Sequence, residues 1–126
     1  MYQHLEVRRT PRKGHGVFAL KSFRSGETIE VCPVLCLAAE RDYRARGGLG
    51  TFVYAWKGRQ DALLLGYGSL YNHSYTPNAR YVRNYRRKTV RFVAYRHIKR
   101  GEEVTINYNN FPNSRRSVKA FLKRVY

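Results

Sequence analysis

The feature that most limits how this chain can fold is its punctuation. Short β-type runs are broken again and again by glycine turns, and most are too short to make a long helix. Leu5 and Val7 alternate with polar neighbours. Val17-Phe18-Ala19-Leu20 follows a glycine turn, and Thr28-Ile29-Glu30-Val31 follows Ser25-Gly26. Thr51 to Trp56 is β-branched and aromatic, and Ala62-Leu63-Leu64-Leu65 runs into Gly66. Thr89 to Tyr95 sets Val90, Phe92 and Ala94 on one face, and Val104, Ile106 and Tyr108 alternate after the Arg100-Gly101 turn. Two stretches read as helix. Ala38 to Arg46 is a weak candidate. In the tail, Val118, Phe121, Leu122 and Val125 follow helical spacing, with Asn113 or Ser114 as cap after Pro112. The pattern predicts a mostly β domain closed by one short, basic, amphipathic C-terminal helix.

At 126 residues the chain suits one domain, 1–126, with no repeat or linker to divide it. Its 43% hydrophobic content separates it from disordered chains. No apolar run approaches the ~20 residues of a membrane span, and the N-terminus lacks a signal-peptide core. The expectation is therefore an intracellular protein with no membrane contact, in cytoplasm or nucleus or nucleoid, or in a host cell if it is viral or secreted by a bacterium. Cys32 and Cys36 make neither a disulfide framework nor a four-ligand zinc site, so the pair reads as structural and no metal is expected. The net charge is +17. No acid occurs between Asp61 and Glu102, a stretch holding Arg80, Arg83, Arg86, Arg87, Lys88, Arg91, Arg96, Lys99 and Arg100. Such a field suits DNA, RNA or another polyanion, and equally a solvated surface.

Three separated segments carry chemistry. In Lys13-Gly14-His15-Gly16-Val17-Phe18-Ala19 the glycines permit close backbone approach, although a simple hairpin turn explains them too. In Gly68-Ser69-Leu70-Tyr71-Asn72-His73-Ser74-Tyr75-Thr76-Pro77-Asn78-Ala79 two polar residues sit beside apolar ones. They must find hydrogen-bond partners, either in a network pinning a turn or on a ligand. In Gly101-Glu102-Glu103-Val104-Thr105-Ile106-Asn107-Tyr108 a tyrosine closes an alternating strand.

In this order and spacing the three segments resemble the SET domain, and the likeness is to short stand-alone SET proteins of viruses and bacteria. The resemblance implies a SET fold, a β-clip-like set of small sheets with a C-terminal pseudoknot. It also implies methyl transfer from S-adenosylmethionine to the ε-amine of a lysine in a protein substrate, such as a histone or another nucleic-acid-associated protein. Lys13, Gly14, His15, Gly16, Asn72, His73, Tyr108 and Phe111 would then meet the cofactor. Tyr108 would be the catalytic tyrosine, orienting and electrostatic rather than a base. Tyr54, Tyr81 and Ile106 would line the lysine channel, although several of the eleven tyrosines must simply pack. Aliphatic Ile106 leaves the number of methyls open. Asn107 departs from the Asp-Tyr or Ser-Tyr of many relatives, which alters local hydrogen bonding with activity expected to survive. Flanking zinc segments are absent, so the tail helix would close the channel or support a homodimer. Two other readings stand beside this one: a SET-fold module that binds nucleic acid through its basic surface with little or no catalysis, and an unrelated basic β-barrel.

Overall fold

The computed structural model describes residues 4–38 and 53–118. Nine strands follow in order: β1 (Leu5–Thr10), β2 (Gly14–Ala19), β3 (Thr28–Ala38), β4 (Val53–Ala55), β5 (Gln60–Leu64), β6 (Asn72–His73), β7 (Ala79–Asn84), β8 (Thr89–Ala94) and β9 (Glu103–Ile106). The alternating runs became strands because period-two patterning gives each one a core face. Both helices expected from sequence fall mainly on residues 39–46 and 119–125, which lie outside the described residues. Ala38 ends β3, and Val118 is a buried residue in irregular chain.

The strands form two sheets, ordered β1-β2-β9-β6 and β4-β5-β3-β8-β7. β3 runs longer than its sequence suggests because it changes partner at Pro33. Up to Pro33 it pairs with β8, and from Val34 onward with β5. A proline has no N–H to give a ladder, so the hand-over falls where a donor is missing anyway. The larger sheet curls until its edge strands β4 and β7 face each other. Tyr54 stands edge-on to Tyr81 with centroids 5.1 Å apart, Trp56 stands edge-on to Tyr85 at 4.8 Å, and Arg83 Nε donates to the Ala55 carbonyl at 2.9 Å. Phe92, fully buried inside the curl, packs on Tyr54, Tyr71 and Tyr81. Removing it would cost about 3–5 kcal/mol by the usual penalty for a buried aromatic.

The smaller sheet brings the three segments together. β9 lies between β2, which it pairs with antiparallel, and β6, which it pairs with in parallel so that Asn72 faces Thr105 and His73 faces Ile106. Beyond β9 the chain crosses the loop after β6. There Ser74 N–H donates to the Ile106 carbonyl and the Tyr75 hydroxyl donates to the Arg116 carbonyl. The expected C-terminal pseudoknot falls at this crossing.

Candidate active site

Two buried asparagines hold the three segments in register. Asn72 is 3% exposed, and its amide nitrogen donates to the His15 carbonyl at 2.9 Å and to Glu103 Oε2 at 2.7 Å. Both amide hydrogens are thereby committed to the protein's own frame. Asn78 donates to the Glu103 carbonyl at 2.8 Å and accepts from Thr105 N–H at 2.9 Å. Gly16 is required by this knot, since a Cβ there would lie 2.5 Å from Glu103 Oε2 and 3.0 Å from Asn72 Nδ2. Gly14 turns the strand entry with φ +70.

Tyr108 is fixed at both ends. It sits in the turn just past β9, not in the strand as its alternation with Ile106 suggests. Its N–H donates to His73 Nδ1 at 3.0 Å, and its hydroxyl donates to the Tyr71 carbonyl at 2.9 Å. A His73 that accepts at Nδ1 carries its proton on Nε2, and Nε2 is buried with no hydrogen-bond partner among the described residues. Burial, followed by the nearby Lys13 charge, pushes the His73 pKa below its ordinary value, so the ring is neutral at pH 7.

A cavity of about 370 Å³ opens beside Tyr108. Four tyrosines line it, Tyr54, Tyr71, Tyr81 and Tyr108, together with Ser69, Arg83, Asn109, Asn110 and Arg116. Burial raises the pKa of Tyr54, Tyr71 and Tyr81, so these phenols stay protonated. The Tyr54 hydroxyl donates to the Gly68 carbonyl at 2.5 Å. Under the cavity floor lies a buried carboxylate, Glu30, which accepts from the Tyr71 hydroxyl at 2.6 Å and from Tyr67 N–H at 2.9 Å. It fixes the ring of Tyr71, whose carbonyl in turn holds Tyr108.

Of the residues expected in the channel, Tyr54 and Tyr81 line this cavity. Ile106 does not line it: it is wholly buried between β6 and the core, because its place in the strand turns it inward. Phe111 lies in the turn after Asn110 and is 66% exposed, an aromatic face with little of its own chain to cover it. It borders a second hollow on the outer side of β7 with Tyr81 and Tyr85. Lys13, Gly14, His15 and Gly16 form the β2 entry, next to Asn72. Sequence reasoning missed Tyr71, although it sits inside the second segment. It also missed Arg83 and Arg116, which only the folded chain brings to the cavity, and Glu30, which holds the Tyr71 hydroxyl. Asn107 departs from the pattern of many relatives, and its hydrogen bonds are its own. Its amide nitrogen donates to the carbonyls of Ser114 at 2.8 Å and Pro112 at 3.4 Å, folding residues 109–116 back over the site.

The family model described as "SET domain" matches residues 14–109. A Schizosaccharomyces pombe protein, "Histone-lysine N-methyltransferase, H3 lysine-37 specific", is 37% identical over 109 residues, covering 84% of this chain and 74% of that protein. A crystal structure of a Plasmodium falciparum protein, provisionally assigned as a histone methyltransferase, superposes with a TM-score of 0.70. It has 30% identity over 85% of this chain and 98% of that one. Both relatives are eukaryotic, and neither supports a particular likeness to viral or bacterial proteins.

Proposed function

Because the chain belongs to the SET-domain family and is a protein-lysine methyltransferase, we propose that it methylates a histone lysine with S-adenosylmethionine as donor. The observation that carries this reading is Tyr108, pinned at its N–H and its hydroxyl beside a cavity walled by tyrosines. The histone, and with it a chromatin location, rests on the named activity of the fission-yeast relative.

The residues present fit the cofactor. His73 offers a buried, unpartnered ring nitrogen, Lys13 adds positive charge beside it, and Phe111 offers an uncovered aromatic face. Lys13, Gly14, His15, Gly16, His73, Tyr108 and Phe111 would hold it. Asn72 would serve mainly as the tie that shapes the cradle, since its amide hydrogens are taken. When bound, the cofactor supplies a methyl on a sulfonium sulfur, which the lysine nitrogen takes as the carbon–sulfur bond breaks.

The protein's own part is to align and desolvate. Transfer of this kind needs an in-line approach, and rigid placement lowers its barrier by prepaid orientation. The Tyr108 hydroxyl donates its hydrogen to the Tyr71 carbonyl, which fixes the position of its oxygen beside the cavity. The lysine must arrive neutral, although free lysine titrates near ~10.4. Protonated phenols provide no phenolate to hold an ammonium, and Arg83 and Arg116 disfavour a second positive charge there. Tyr108 need not remove the proton.

Isotope-labelled cofactor mixed with core histones tests the reading. Transfer to a histone lysine is expected, and Tyr108→Phe is expected to lower the rate by at least ~100-fold, the loss typical of one electrostatic contact to the reacting centre, while cofactor binding by calorimetry persists. No transfer to any histone, or an unimpaired Tyr108→Phe, would overturn it. The non-catalytic nucleic-acid module is not favoured, since the pinned tyrosine and its cavity would then have no purpose.

A further inference from the structure

Two turns far apart in sequence meet at one end of the curled sheet. The β4–β5 turn is Lys57-Gly58-Arg59, and the β7–β8 turn is Tyr85-Arg86-Arg87-Lys88, all exposed. Tyr85 joins them: its ring stands edge-on to Trp56 at 4.8 Å, and Lys57 Nζ lies 5.8 Å over it. Each turn is fixed. Trp56 N–H donates to the Gln60 carbonyl at 3.1 Å, Arg87 N–H donates to Asn84 Oδ1 at 3.0 Å, and the Lys88 carbonyl accepts from Val34 N–H at 3.0 Å. Lys57, Arg59, Arg86, Arg87 and Lys88 thus stand on two adjoining turns with tied backbones and form one cationic cluster. None of the five forms a salt bridge among the described residues, and none lines the tyrosine cavity.

We propose that this cluster grips the phosphate backbone of duplex DNA and so brings the enzyme to a substrate that is itself DNA-bound. Electrostatics favour this. A chain of net charge +17 and a basic histone repel each other, and a shared polyanion relieves both. Duplex is favoured over single strand because Tyr85, the one aromatic in the cluster, already has Trp56 against it and Lys57 over its face. It offers a poor platform for the base stacking that single-strand binders use. The DNA contact stands on the cluster, and only the identity of the substrate rests on the histone reading.

The test uses the full chain and a short mixed-sequence duplex, with affinity measured by fluorescence anisotropy across a salt series. Log affinity should fall with log salt at about 0.9 per phosphate contacted. Arg86→Gln/Arg87→Gln and, separately, Lys57→Gln/Arg59→Gln should each flatten the slope by about 2. Both variants should keep wild-type cofactor binding and wild-type transfer to free histone, while transfer to nucleosomal histone falls. No duplex binding at low salt, variants with unchanged slope, or tighter binding to single strands would each overturn the proposal. Duplex binding with the expected slope but no transfer to any histone would sink the histone reading alone.

Discussion

His73 positions Tyr108 through an acceptor that exists only while the imidazole is neutral. Protonation at Nδ1 would set one N–H against another and release the Tyr108 backbone. Burial keeps the folded-state pKa below the ordinary 6.5 of the unfolded chain. The stabilisation is therefore complete above that ordinary value and is lost as pH falls through the folded one, by at most about 1.4 kcal/mol per pH unit. Glu27 and Glu102 are also lowered, Glu27 chiefly by Lys21 and Glu102 chiefly by the Lys99 N–H, so their losses begin only below their ordinary 4.5. Thermal unfolding should hold steady above pH 6.5 and decline as pH falls below it in the wild type, with a flatter profile in His73→Gln. A wild-type profile as flat as the variant's would remove His73 from this role. At this scale the sequence was legible where a residue's chemistry is local. Asn72 and His73 could be recognised as polar groups needing partners. Asn72 takes His15 and Glu103, 57 and 31 positions away, and His73 takes the Tyr108 N–H, 35 positions away.

The segment from Asn107 to Val118 is the element that completes the site, and an amide holds it. Asn107 is 3% exposed and donates to two carbonyls of the returning chain, while its own Oδ1 accepts from Asn109 N–H at 3.0 Å. An aspartate could accept but not donate, and would bring two carbonyl oxygens against a buried negative charge. Asn107→Asp should therefore destabilise by about 2–3 kcal/mol, measured by urea unfolding, with weakened cofactor binding. Stability within error of wild type would show that the segment is held elsewhere. Strand existence was readable from alternation, as β1, β2, β8 and β9 demonstrate. Strand extent was not. β3 continues through Pro33 because two different neighbours share it, and β6, only two residues long, owes its existence to β9. Pairing of that kind leaves no period in the sequence.

Across the whole molecule, charge and topology work against compactness in different ways. Cations outnumber acids, and among the described residues only a few surface ion pairs such as Arg96–Glu102 and the half-buried Lys21–Glu27 offset the excess. Self-repulsion at net +17 lowers stability and is screened by salt. The melting temperature should rise by a few degrees when sodium chloride is raised from low to physiological strength, with an unchanged urea m-value. A fall would show that the surface pairs dominate instead. The excess of positive charge was plain in the sequence. Its gathering into one cluster was not, because Lys57 and Arg59 reach Arg86 and Arg87 only through the curl of the sheet.

β9 lies inside its sheet yet is the last of the described strands to be made. During synthesis the β1–β2 hairpin and β6 emerge without the strand that joins them, and the larger sheet can close first. Long-range pairing of this type is slow, on the order of milliseconds to seconds. A growing chain would therefore lack the proposed cofactor cradle until residues 103–118 have left the ribosome, and a chain truncated before them should be inert however well its larger sheet has folded.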